Sequence, residues 1–189
     1  MAPLKLATFY TADRRAWRRW LRQNYKTKSG VWLVYYRKNS GKPRIPYNDA
    51  VEEALCFGWI DSTLKKLDDR RFAQKFSPRK PKSGYSQANK ERLASLAAEG
   101  KLAREVLATL GDILNERTSL PLDILAEVKS NKKAWRNFQR YSEGYKRIRI
   151  AFIDGARNRP AEFRKRLNYF IKMTAANRQF GFGGIDEYY

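Results

Sequence analysis

FGWIDSTLKKLDDRRFAQKFSPRKPKSGYSQANK, residues 57–90, is the stretch that decides the fold. Trp59 to Leu67 and Arg71 to Ser77 read as two strands of a hairpin around Asp68-Asp69-Arg70. Pro78 and Pro81 end the second strand, because neither can donate to a ladder. Ser86 then caps a helix reaching about Glu99, with Leu93, Leu96 and Ala97 inward and Gly100 closing it. A hairpin handing over directly to a helix marks an α+β unit.

Upstream, Thr8 to Tyr25 reads as one helix, with Thr11 as its cap and Ala16, Trp17, Trp20 and Leu21 as its apolar stripe. Val31 to Tyr36 is a β-branched and aromatic run, hence a mostly buried strand, and Asn39 to Pro43 is a turn. Asp49 to Phe57 places Ala50, Val51, Ala54 and Leu55 at helical spacing before Gly58. The order helix, strand, helix, hairpin, helix, with the strands most easily joined antiparallel, leads to a small antiparallel sheet as the expectation.

Downstream of Lys101 no strand is expected. Ala103 to Leu110 is a short helix, and Pro121 opens another. Ala134, Trp135, Phe138 and Tyr141 share one helical face; so do Tyr145, Ile148, Phe152, Ile153 and Ala156, and then Phe163, Leu167, Phe170, Ile171 and Thr174. The expected fold class is therefore α+β: a small antiparallel sheet with helices in residues 1–112, then an all-helical bundle over 113–180. The glycine-rich tail, 181–189, is either loose or docked.

Charge supports the division. Residues 1–100 carry 22 basic and 9 acidic groups, residues 101–127 carry 3 and 5, and residues 128–180 carry 15 and 3. The whole chain of 189 residues stands at +21, a field that attracts polyanions such as nucleic acid or phosphorylated ligands. There is no histidine and one cysteine. That excludes Ser-His-Asp and Cys-His triads, and zinc sites built on histidine or several cysteines. No metal or cofactor is expected. The single thiol fits a reducing compartment, no apolar run is long enough to span a bilayer, and the N-terminus lacks a signal-like apolar stretch. A cytoplasmic location is expected.

FGWID, the SPRKPKS loop and Asn89-Lys90, in that order, resemble the YdeI/OmpD-associated (bacteriocin-protection) family. GVWLVYYRK at 30–38 and AVEEALCFGWID at 50–61 extend the resemblance, which runs more loosely through the helical half. Tyr85 stands where that family commonly has Trp, and Phe163 where it commonly has Thr. The resemblance implies cytoplasmic protection against cationic antimicrobial peptides or bacteriocins, with no catalytic residues to carry over.

The candidate site gathers around the same stretch. Strand alternation puts Asp61 on one face with Trp59. As a carboxylate it could act as general base, anchor a cationic group, or pair internally with Arg79 or Lys80. The loop from Ser77 to Ser83 brings Arg79 and Lys80 to a helix start where Tyr85, Ser86, Asn89 and Lys90 follow, the make-up of an oxyanion cradle. The favoured expectation is a non-catalytic anion-binding protein taking a small anion or phosphorylated ligand. A second reading is a non-specific nucleic-acid binder with Arg14, Arg18, Arg22, Arg164, Lys165 and Lys172 as its footprint. A third is an enzyme on a small anionic substrate, with Asp61 as acid–base and Arg79, Lys80 and Lys90 as clamps.

Overall fold

The computed structural model describes residues 6–80, 83–115 and 119–181. Contacts divide the chain into two compact units: Met1–Gly84 with Arg92–Gly111, and Tyr85–Glu91 with Asp112–Tyr189.

The first unit is built on a four-stranded sheet of order β1-β2-β4-β3, from β1 (Thr8–Tyr10), β2 (Val31–Tyr36), β3 (Trp59–Lys66) and β4 (Arg71–Pro78). The hairpin β3–β4 and the pair β2–β4 are antiparallel, as expected, but β1 runs parallel to β2. The segment from Thr8 is therefore not the start of a helix. Thr11 Oγ1 accepts from the backbone N–H of Asp13 (2.9 Å), and Asp13 itself caps α1 (Arg14–Asn24) by accepting from Arg15 N–H (2.8 Å). The turn made by Thr11 lets three residues pair as a strand before the helix begins.

Helix α1 and helix α2 (Tyr47–Cys56) lie on one face of the sheet. Trp17 is fully buried, donates its indole N–H to Ala50 O (3.0 Å), and packs on Phe9 and Phe76, both from that face. Burying a side chain of this size contributes about 1.5–3 kcal/mol. Gly58 ends α2 at φ +70°, and a Cβ there would sit 3.3 Å from Val106 Cγ2 of α4 (Arg104–Ala108), so both backbone and space call for glycine.

Helix α3 (Gln87–Ala98) contributes residues 87–91 to the second unit and the rest to the first. A helix the sequence did not announce, α5 (Gly111–Asn115), follows. Then come α6 (Leu122–Ser130), α7 (Lys132–Arg140), α8 (Glu143–Asp154) and α9 (Pro160–Ala175). Asn131 and Ser142 cap α7 and α8, and Pro160 opens α9. Phe138, Tyr145, Ile153, Leu167 and Phe170 form the core of this unit. One stripe residue departs from expectation: Phe152 is 47% exposed, while Ile150 is buried in its stead. Pro81, Lys82 and residues 182–189 of the tail lie outside the described residues.

Candidate functional site

In the first unit, β3 and β4 bring Asp61 into register with Phe76, two positions from Gln74. Gln74 Nε2 donates to Asp61 Oδ2 (3.0 Å) and to Ser62 O (3.2 Å), and Tyr47 Oη donates to the same Asp61 oxygen (3.0 Å). The expected salt bridge to Arg79 or Lys80 is absent among the described residues; two neutral donors hold the carboxylate instead. Burial pushes the Asp61 carboxyl above its usual range, outweighing the pull of the Tyr47 hydrogen bond and the more distant Arg92 charge. Burial likewise raises the phenols of Tyr35 and Tyr47. A half-buried carboxyl among hydroxyl and amide donors holds its proton more readily than an exposed one, but a carboxylate does not attract an anion.

Trp59 is 1% exposed and donates its indole N–H to Tyr25 O (3.2 Å). It is a core ring, not a surface on which a ligand can stack. Arg79 Nη2 donates to Gly84 O (3.0 Å) and Ser83 Oγ (3.1 Å), so the guanidinium fastens its own loop. Ser83 Oγ donates to Lys80 O (2.8 Å), and Lys80 is exposed. The remaining candidates belong to the second unit. Ser86 starts α3, with its carbonyl accepting from Asn89 N–H (2.9 Å) and Lys90 N–H (3.0 Å); Tyr85, Asn89 and Lys90 are half-buried.

The proposed nucleic-acid footprint is partly spoken for. Arg14 donates to Asp49, Glu52 and Glu53, and Arg18 to Glu53, so both guanidiniums face carboxylates of α2. Arg164 pairs with Glu127 at 3.1 Å. Arg22, Lys165 and Lys172 are exposed.

The second unit holds a cavity of about 660 Å³. Ser86, just before α3, and Gln87 and Ala88 of its first turn line one part of it. Gln87 Nε2 donates to Glu91 Oε1 (2.8 Å), and Glu91 is gripped by Arg147 Nε (2.6 Å) and Nη2 (2.8 Å). That fork holds the start of α3 against α8.

Opposite, Arg149 is only 7% exposed, with its guanidinium carbon 4.1 Å from the ring centre of Phe180 and 5.0 Å from that of Phe152. The Arg166 guanidinium carbon lies 3.9 Å from the ring centre of Phe152, with Nε donating to Glu162 (2.7 Å) and Nη1 to Phe152 O (2.7 Å). Lys165 and Tyr169 complete the lining, with Tyr169 edge-on to Phe180 at 4.9 Å. Phe180 is fixed by Tyr145, whose hydroxyl donates to Phe180 O (3.1 Å) and accepts from Phe180 N–H (2.9 Å).

Three cations and one carboxylate thus surround a space walled by aromatic rings, the composition of a pocket for an acidic group carried on an apolar body. Of these residues the sequence reading placed Ser86 and Lys165 among its candidate site residues, and Phe152 on a core stripe. The signal it passed over is Arg149 between Ile148 and Ile150, a cation inside a buried helix face.

Among the described residues no group of three or more His, Cys, Asp or Glu could hold a metal ion, and no helix is long and apolar enough to cross a membrane. Residues 9–109 match the family model described as a domain of unknown function, DUF8412. Residues 118–177 match the model described as "Bacteriocin-protection, YdeI or OmpD-Associated", the family the motifs resemble. GWID and SPRKPKS fall in the first match; α8 and α9, and with them most of the cavity wall, fall in the second. No curated protein and no solved structure matches the chain.

Proposed function

The chain belongs to the DUF8412 family and carries a bacteriocin-protection segment, and from that premise we propose that its second unit is a receptor for an anionic ligand with an aromatic or apolar body, acting without catalysis in the cytoplasm. The observation that carries the reading is the pair of guanidiniums stacked around Phe152, with Arg149 almost wholly buried and Lys165 beside them. A buried guanidinium gives a phosphate or carboxylate a strong, directional contact, because little water competes for it. The exposed rings of Phe152 and Tyr169 favour a body that can lie flat against them.

The charge also bears on how such a protein protects. At +21 the chain repels cationic peptides, so sequestering them directly is disfavoured. Protection acts instead through an anionic ligand that the protein holds or senses.

Calorimetric titration with phenyl phosphate, inorganic phosphate and phenol separates the contributions of charge and ring. The expected order is phenyl phosphate tightest, inorganic phosphate weaker and phenol undetectable. Lys165→Ala, an exposed position, should weaken phenyl phosphate several-fold, and Arg149→Lys should weaken it further by losing the planar fork. Equal affinities for all three probes, or wild-type binding by both variants, overturns the reading.

A further inference from the structure

The helices of the first unit that pack on its sheet do so on one face, the one carrying Phe9, Leu33, Phe76, Gln74 and Asp61. Residues directly opposite on paired strands share a face, so the register defines the other side. There Thr8 meets Trp32 and Trp32 meets Lys75; Tyr10 meets Val34, Val34 meets Ala73, and Ala73 meets Lys65; Tyr36 meets Arg71. Those positions contain no carboxylate.

Three rings occupy this face. Tyr10 is 42% exposed and stands edge-on to Tyr36 at 5.0 Å; Trp32 and Tyr36 are half-buried. Tyr10 Oη donates to Pro43 O (2.7 Å), which holds the ring in position. Lysines interleave with the rings: Lys65 Nζ lies 5.9 Å from the Trp32 ring centre and Lys42 Nζ 5.0 Å from that of Tyr36. Among the described residues Lys42, Lys65 and Lys75 make no ion pair, whereas Lys66 and Arg71 are tied to Asp69 and Asp68 at the hairpin tip. From Trp32 to Tyr36 the strand advances about 13 Å, the span over which a sheet surface can seat two or three splayed bases.

We infer that this outer sheet face is a stacking platform for single-stranded nucleic acid, with Tyr10, Trp32 and Tyr36 as ring surfaces and Lys42, Lys65 and Lys75 as phosphate partners. Duplexes fit it poorly, since their bases are already stacked and their ring faces hidden. Charge alone would not distinguish strand from duplex, but rings and lysines together do. The platform is independent of the cavity in the second unit and of the arginines of α1.

Fluorescence anisotropy of labelled oligo(U) and oligo(dT) with the full chain tests it, with unlabelled duplex as competitor. Binding of either oligonucleotide is expected, accompanied by quenching of tryptophan emission, and the two probes distinguish RNA from DNA as the natural ligand. Tyr10→Ala should weaken binding about tenfold. Lys65→Ala/Lys75→Ala, which leaves every ring in place, should weaken it and flatten its salt dependence. Lys133→Ala on α7, an exposed cation of the second unit, should change little. Absence of binding, competition by duplex equal to that by single strand, or an equal loss in Lys133→Ala would overturn the inference.

Discussion

Replacing Glu53 with Gln removes the charge on which two arginines converge while keeping the side chain's volume. Glu53 is 3% exposed; its Oε1 accepts from Arg14 Nε and its Oε2 from Arg18 Nη1, each at 2.6 Å. Breaking a buried ion pair costs about 3–5 kcal/mol when the partner is left uncompensated. Two features reduce the figure here. Arg14 keeps Asp49 and Glu52 at 2.8 Å, and the arginine side chains remain 30% and 28% exposed, so water can solvate part of the orphaned charge. The amide also turns an N–H toward a guanidinium that needs an acceptor. The expected loss is about 2–4 kcal/mol, placed between the cost of a charge-assisted hydrogen bond and that of a wholly buried pair. For a chain of this length that is a fall in Tm of about 5–15 °C. Tryptophan emission is the appropriate probe, since four of the five tryptophans lie in the first unit. Glu105→Gln, which breaks the exposed pair with Lys26, should leave the melting temperature nearly unchanged and serves as control. A Glu53→Gln protein that melts within about 2 °C of wild type would refute the reasoning, and with it the claim that these arginines are engaged in structure.

Asp61 sets a pH dependence of definite sign. Its folded pKa lies above its unfolded one, so between the two the native state holds more protons, and stability falls as pH rises through that window. Urea unfolding across pH 3–7 isolates this contribution as the difference between wild type and Asp61→Asn, which should fall as pH rises; a difference that rises with pH would mean the carboxylate is charge-paired after all. Tyr145→Phe strips Phe180 of both its hydrogen bonds and should cost about 1–2 kcal/mol while loosening the cavity rim, read as weaker phenyl phosphate binding with the helical signal intact. Limited proteolysis should cut first between residues 109 and 118, where the chain passes between the two matched segments. The nicked halves should then co-elute until denaturant is added, because residues 85–91 stay on the N-terminal piece while Glu91 pairs with Arg147 on the other. Cuts confined to residues after Phe180 would count against an independent second unit.

The longer helices and the hairpin were legible in the sequence because each announces itself within a dozen residues: an apolar period, a capping Asn or Ser, a proline, a glycine at the end. Strand β1 was not, since three residues paired in parallel with a strand some twenty positions away leave no local trace. Its neighbours Thr11 and Asp13 both suit a cap, and only the pairing decides between them. Asp61 was recognised as a residue of interest but given the wrong partner: Tyr47 and Gln74 reach it through sheet register and helix packing, neither of which is visible in the spacing of charges. The cavity escaped for the same reason, because Arg149, Arg166, Tyr169 and Phe180 come from three separate stretches. Phe152 was read as core since it keeps the stripe's period, yet it stands at the stripe's edge and opens onto the cavity.

Helix α3 has a consequence for how this protein can be taken apart. Its first turn, with Ser86 just before it, supplies Ser86, Gln87 and Ala88 to the cavity, and Glu91 follows to pair with Arg147, although these residues precede the bacteriocin-protection segment by some thirty positions. A gene fragment trimmed to residues 118–177 would encode the recognisable sequence without Ser86, Gln87 and Ala88 of the cavity lining, and an exchange of segments at residue 109 or 118 would likewise give the recipient an incomplete cavity. An intact pocket therefore requires residues from both matched segments on one chain.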